Sequence, residues 1–152
     1  MDNIDKKLIQ LLQENARYSL KQLSERVYLS SPAVAARIEK LKRDDMITGF
    51  HAEANLDKLG YHITTYIEVE MMPQNKTAFV DFVRGVPNVL ECSFVSGSYT
   101  MLLKATFPAT SDLDAFIEEV SRFGTTETHI VFSTPVPRRG VMLSEEDTPE
   151  EE

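Results

Sequence analysis

The sequence predicts an α+β protein in two parts, a three-helix head followed by a body that alternates strands and helices. Three observations carry this. Apolar residues recur at helical spacing as far as Leu41, then alternate between strand and helix spacing from about residue 61 onward. Charge divides near the same place: residues 1–50 hold nine Lys/Arg against seven Asp/Glu, and residues 51–152 hold seven against seventeen. Finally, the stretch from Tyr18 to Phe50 reads as two short helices joined by a tight turn, the second of them basic.

In the head, residues 3–15 form an amphipathic helix with Ile4, Leu8, Leu11 and Leu12 on its apolar face, broken at Asn15 to Arg17. Ser19 caps a second helix carrying Leu20, Leu23 and Val27. Tyr28 to Ser30 has room only for a turn. Ser30 or Ser31 then caps a third helix, with Pro32 in its first turn, where a missing N–H costs nothing. Val34, Ile38 and Leu41 stack on one face of it. Pro32, Ala36, Glu39, Lys40 and Arg43 point the opposite way, with Ala33 and Arg37 on a flank.

A helix that buries branched aliphatics and shows small residues with cations suits a DNA major groove. Small side chains let the backbone approach base edges, and Arg and Lys reach bases or phosphates. A solvated face on an ordinary helical hairpin is the plainer alternative. The candidate DNA contacts are Ser31, Pro32, Ala33, Ala36, Arg37, Lys40 and Arg43. Arg37 alone suits a bidentate guanine contact, and Lys40 reads as a phosphate contact. So few base-edge donors predict degenerate sites, selected by DNA bendability and half-site spacing.

Composition sets the outer bounds. The chain has 152 residues, 42% of them apolar, which is enough for a packed core. No apolar run approaches a membrane span, and the acidic start Met-Asp-Asn-Ile-Asp is unlike a targeting segment. The single cysteine, Cys92, sits in an apolar run and reads as a core residue more readily than a nucleophile. A reducing, cytoplasmic home is expected. The net charge of −8 looks wrong for a nucleic-acid binder, but phosphate affinity follows local charge. The basic helix offers a modest footprint, which predicts several copies acting together.

Residues 49–55 alternate Phe50, Ala52 and Ala54 against His51, Glu53 and Asn55, as a strand would, before a turn at Asp57 to Gly60. The body then reads in order. Residues 62–71 are a strand with Ile63, Thr65, Ile67, Val69 and Met71 on one face. Residues 75–84 are a helix around Phe79, Phe82 and Val83. Two strands at 89–96 and 99–107 meet at Gly97-Ser98. A helix opened by Ser111 or Asp112 carries Leu113, Phe116, Ile117 and Val120 and ends at Gly124, and residues 126–134 are the last strand. The order β-α-β-β-α-β is the ferredoxin-like split motif, with helices on one face of an antiparallel sheet.

Met101, Leu102, Leu103 and Ala105 make the third strand apolar on both faces, which predicts a second sheet packed on it and hence a dimer. The expected division is a head at 1–48, a linker strand and turn at 49–60, the ferredoxin-like domain at 61–137, and an acidic, disordered tail at 138–152.

Taken together, these residues resemble the Lrp/AsnC (leucine-responsive, feast/famine) family of transcription regulators. The likeness lies in Asp5 before an Ile/Leu-rich helix and in Leu29-Ser30 through Val34, Arg37-Ile38 and Leu41 into Ile47-Thr48-Gly49-Phe50. It continues in Leu59-Gly60, in Val95 to Tyr99 running into Leu102-Leu103-Lys104, and in Gly124, Thr126 and Thr128 before Ile130-Val131-Phe132. In order and spacing it spans residues 2–135.

The resemblance implies a helix-turn-helix head with a winged-helix-like character and a ligand-sensing body; the residues themselves offer no nucleophile–base pair, CxxC, phosphate-cradling glycine loop or carboxylate dyad, so no catalytic residue, metal or cofactor is expected. It implies double-stranded DNA as partner, homodimers that assemble further, often to octamers, no membrane, and a cytoplasmic, nucleoid-associated location. It also implies an amino acid bound between dimers near the hairpin, lined here by Gly97, Ser98, Tyr99, Thr100, Thr126 and Thr128. Gly97 permits close backbone approach and the hydroxyls can orient an α-amino or carboxylate group. On the residues alone these are equally a plain turn with β-favouring threonines. The family pattern at the hairpin is commonly G-x-Y/F-D, and Thr100 stands where the acid would be, offering a neutral acceptor in place of a charged one.

Two other classes remain open on the sequence. Relatives of the fold decarboxylate a tetrapyrrole with His and Arg, and the three histidines here, His51, His62 and His129, are scattered over separate segments without ligand spacing. The other is a DNA-silent binding partner, against which the basic helix counts.

Overall fold

The computed structural model describes residues 1–144, so the acidic run 145–152 and the disorder expected of it lie outside the described residues. The chain divides into two compact units, one made of Met1–Glu53 with the segment beginning at Val136, the other of Ala54–Pro135.

The first unit is built on three helices whose ends are set by side-chain caps. Helix α1 (Asn3–Glu14) starts at Asp2, whose carboxylate accepts the Asp5 N–H at 2.8 Å while Asp5 accepts the Asp2 N–H at 3.2 Å. Helix α2 (Leu20–Val27) starts with the same reciprocal arrangement between Ser19 and Gln22. Helix α3 (Ser31–Arg43) is capped by Ser30, with proline in its first turn. The turn between α2 and α3 closes through Tyr28 in the left-handed region, at φ 55° and ψ 40°. Leu8, Leu11, Leu23, Val27 and Val34 make one buried cluster, with Ile4, Leu12, Leu29 and Ile38 packed against it. Arg26 lies over the Tyr18 ring, 4.5 Å from its centroid.

The second unit is a four-stranded antiparallel sheet in the order β2-β3-β1-β4. Its elements are β1 (Ile63–Met71), a 3₁₀ turn (Pro73–Asn75), α4 (Lys76–Arg84), β2 (Val89–Phe94), β3 (Met101–Phe107), α5 (Thr110–Ser121) and β4 (Gly124–Ile130). This is the β-α-β-β-α-β order read from the sequence. Thr65, Ile67, Val69 and Met71 of β1 are buried, as their alternation predicts, and they join Met101, Leu103, Ala105 and Phe107 beneath Phe79, Val83, Leu113, Phe116 and Val120 of the two helices. Phe82 stacks on Phe116 and Phe123, locking α4 to α5. Gly124 opens β4 because the Glu70 carbonyl occupies the place a Cβ would take.

Several expectations are corrected. Residues 49–55 form no strand, because an extended stretch becomes one only when a neighbour takes its N–H and C=O groups, and no described strand does so. Met101, Leu103 and Ala105 share one parity and all face the helices, leaving Leu102 on the other side; the strand is apolar because it is central, and its sequence does not require a second sheet. Helix α5 begins one residue before Ser111, after Ala109, whose N–H is accepted by Asp112. Gly124 starts β4, and α5 ends at Ser121. The segment 138–144, expected to belong to a solvated tail, is hydrogen-bonded to α1 at Val141, Leu143 and Ser144.

Candidate nucleic-acid interface and effector site

Helix α3 carries the head's candidate DNA-contact face. Pro32, Ala36, Lys40 and Arg43 are exposed and Ala33 is half-buried, so one side shows a short stretch of small residues leading to cations. Ser31 is half-buried, 3.4 Å from the Ser24 hydroxyl. Lys42 pairs with Glu39 at 2.9 Å, whereas Lys40 and Arg43 pair with no carboxylate among the described residues. Tyr28, immediately before α3, is 92% exposed at the left-handed turn.

Arg37 sits differently from the rest. Its Nη1 lies 2.7 Å from Asp2 Oδ2 and 2.7 Å from Asp5 Oδ1, so the guanidinium turns toward the start of α1 and away from the open face. The Asp5 side chain is only 8% exposed, and Arg37 supplies the charge that a carboxylate so placed requires. The Asp2 pKa is lowered by the Asp5 backbone N–H it accepts and by Arg37, and the Arg37 pKa is raised by Asp2 and then Asp5.

In the body, Val95 N–H donates to the Thr100 carbonyl at 2.9 Å, closing a loop over 95–100 in which Gly97 has φ 117°. Gly97 and Ser98 are exposed, while Tyr99 and Thr100 are half-buried. The Thr100 Oγ1 is buried and has no hydrogen-bond partner among the described residues. Thr126 and Thr128 stand opposite Val69 and Ile67, on the helix-covered face of β4. Met101, which follows the loop, also stands opposite Val69. Thr126 is therefore two strand spacings away, about 10 Å. A single chain brings Gly97 to Thr100 together and does not bring the two threonines to them.

Strand pairing also assembles a group that lay scattered in the sequence. Glu68 faces Glu127 across β1 and β4, and together with His129 they place ligand atoms within 4.8 Å of one another on the half-exposed sheet face. His129 Nε2 is 3.6 Å from Glu127 Oε1. His62 lies 2.6 Å from Asp57. Burial pushes the Cys92 thiol pKa up. Among the described residues no helix is long and apolar enough to cross a membrane.

The description "AsnC-type helix-turn-helix domain" matches residues 1–42, and "Lrp/AsnC ligand binding domain" matches residues 64–141. The chain belongs to the Lrp/AsnC family. It is 31% identical to the Bacillus subtilis HTH-type transcriptional regulator LrpA over 132 residues, covering 86% of this chain and 97% of that one. The solved structure of B. subtilis LrpC superposes with a TM-score of 0.85 at 25% identity, over 91% of this chain and 99% of that one. A Neisseria meningitidis transcriptional regulator solved as its L-Met complex gives 0.85 at 25% identity, over 96% and 97%. The α+β fold and the division into helix-turn-helix and ligand-binding parts are those of Lrp/AsnC transcriptional regulators.

Two outcomes are expected from the Arg37 clamp. Arg37→Ala should cost the head on the order of 2–3 kcal/mol, because the Asp5 carboxylate is left buried without a counter-charge. In the Asp5→Asn background the same change should cost at least about 1 kcal/mol less, a coupling that chemical denaturation of the four proteins of the cycle measures.

The pH dependence has a definite sign. A carboxylate whose pKa is depressed on folding stabilises the fold above its unfolded value, and the contribution is lost as pH falls through the folded one. For Asp2 that window lies below 3.8. The thermal midpoint of the head should therefore fall as pH drops below that value. Asp2→Asn, which keeps a capping oxygen, should flatten this part of the profile when melts are followed by circular dichroism.

Proposed function

We propose that this Lrp/AsnC chain works as a homo-oligomer that lays α3 into the major groove of degenerate promoter sites, and that a small amino-acid effector, bound where copies meet, adjusts its hold on DNA. The observation that carries the DNA part is the exposed face of α3, where Pro32, Ala33 and Ala36 leave room for base edges and Lys40 and Arg43 stand free of carboxylates among the described residues. Lys40 and Arg43 supply phosphate contacts, Ser31 and the small residues lie near bases, and Arg37 acts as a positioning residue that fixes α3 against α1.

The oligomer reading rests on apolar surface in the body. Leu59, Met72, Phe94 and Phe132 are 61–98% exposed, more than an isolated domain ordinarily leaves in water. The effector reading needs that assembly too, since one chain does not bring Thr126 and Thr128 to the hairpin. The partnerless buried hydroxyl of Thr100 supports a ligand at Gly97 to Thr100, and the relative solved with L-Met makes an amino acid the first class to try. We assign the chain no catalytic role: its matches are to helix-turn-helix and ligand-binding domains and to relatives named as transcriptional regulators. Such a regulator would work in the cytoplasm, associated with the nucleoid.

Fluorescence anisotropy with DNA from upstream of its own gene, beside a scrambled fragment, tests the first part. Lys40→Ala/Arg43→Ala should weaken both complexes and lower the slope of log affinity against log salt by about two, one for each phosphate no longer neutralised. Binding indifferent to the double variant would remove α3 from the interface.

Calorimetry of the full chain against the amino acids tests the second part. A ligand should bind wild type and lose at least about tenfold in affinity in Thr100→Val, which keeps the shape and removes the hydroxyl. Equal binding by the variant would move the site elsewhere, and the absence of any binder would end the amino-acid reading.

A further inference from the structure

The turn between α2 and α3 holds a residue whose backbone and side chain disagree. Tyr28 stands at φ 55° and ψ 40°, in the left-handed region. Backbone bonds impose this. The N–H groups of Tyr28 and Leu29 both donate to the Ser24 carbonyl, which closes the end of α2 and turns the chain through that region. Leu29 then packs on the head's core and Ser30 caps α3, so the turn is held on both sides.

Glycine adopts this conformation freely, and aspartate or asparagine visits it with a short polar side chain. The other described non-glycine residue at positive φ is Asp45, which follows that rule. A tyrosine does not. Its Cβ crowds the backbone, and its ring gains no burial that would offset the strain. Tyr28 is 92% exposed, and the neighbouring Arg26 lies over Tyr18 instead. Strained residues of this kind gather at binding and catalytic sites.

The motif says what such a residue meets. A helix-turn-helix places the N-terminal residues of its second helix on base edges while its first helix crosses the phosphate backbone. The turn that joins them passes over the sugar-phosphate chain at the edge of the groove. Tyr28 precedes the Ser30 cap by two residues and is the most exposed aromatic of the head, where Tyr18 is half-buried and Phe50 is 46% exposed.

We propose that Tyr28 is a further DNA contact: its hydroxyl donates to a backbone phosphate at the edge of the groove that α3 enters, and its ring covers the adjoining deoxyribose. The proposal rests on the reading of α3 given above. A neutral hydroxyl on a phosphate carries no base information and releases no counter-ion. Its contribution is therefore separable from those of Lys40 and Arg43, which neutralise charge. It fixes the register of the head on the duplex and is felt by every sequence alike.

Anisotropy of the full chain with the upstream and scrambled fragments, over a range of salt, tests this beside thermal unfolding. Tyr28→Phe should bind both fragments at least about threefold more weakly, with the slope of log affinity against log salt unchanged. Tyr28→Gly removes the ring and relieves the backbone. It should bind about tenfold more weakly while its thermal midpoint rises by about 2–4 °C, and a merely structural residue would not move affinity and stability in opposite directions. A fall in that midpoint would place the ring in the fold, and wild-type affinity in both variants would remove it from the interface; either overturns the proposal. A loss confined to the upstream fragment would make Tyr28 a reader of bases and overturn the phosphate contact. Lys40→Ala/Arg43→Ala in the same series keeps the two readings apart. If it loses affinity and slope while the Tyr28 variants bind as wild type, the proposal falls and the reading of α3 stands. If binding is indifferent to it yet weakened in Tyr28→Phe, the tyrosine contact stands and the reading of α3 falls.

Discussion

One guanidinium between two carboxylates sets the geometry on which the head depends. Arg37 is contributed by α3 and its partners by the first turn of α1, so the pair fixes the helix that carries the exposed basic face to the helix that packs behind it. Leu8, Leu11 and Val34 hold these helices together by apolar packing. A charge-assisted hydrogen bond at 2.7 Å is directional, and Asp5 is buried deeply enough that it must be paired. The Asp2 and Asp5 carboxylates also close the N-terminus of α1 through their reciprocal backbone bonds. Capping, burial of charge and orientation of α3 are thus one interaction.

How much of this the sequence disclosed depends on how local the physics is. Caps at Ser19 and Ser30, proline in the first turn of α3, and the buried alternation of Thr65, Ile67, Val69 and Met71 are all set within a few residues, and all were legible. The partner of Arg37 was not, because it stands more than 30 residues away and a basic residue on a helix flank has the same appearance whether it meets DNA or an aspartate. Residues 49–55 alternate as a strand does, but a strand exists only with a neighbour, and alternation cannot supply one. The contact of residues 140–144 with α1 left no mark in the sequence either. It is held by side-chain amides on backbone carbonyls, which any residue could offer, across separations of more than 120 positions.

The predicted effector residues show the same division. Gly97 to Thr100 are neighbours in sequence and remain together in a loop closed by a backbone bond. Thr126 and Thr128 belong to a strand placed beyond β1 in the sheet order, so their joining the loop is a matter of tertiary and quaternary structure. The orphaned Thr100 hydroxyl became visible only once burial was known. The same holds for Glu68, Glu127 and His129, which strand register brings side by side although no spacing in the chain announces them.

The chain's charge looks unsuited to its partner only while it is summed. It is acidic overall, yet Lys40, Lys42 and Arg43 stand together on the exposed end of α3, and six of its acids lie in its last eight residues. The carbonyls of Val141, Leu143 and Ser144 are bonded to α1, so the described part of the C-terminal segment ends on the head, at the end of α1 where Arg37 grips Asp2 and Asp5. The three residues of α1 that take no part in the core, Lys6, Gln10 and Gln13, therefore give that helix a second packed face, built on hydrogen bonds where the first is built on apolar burial.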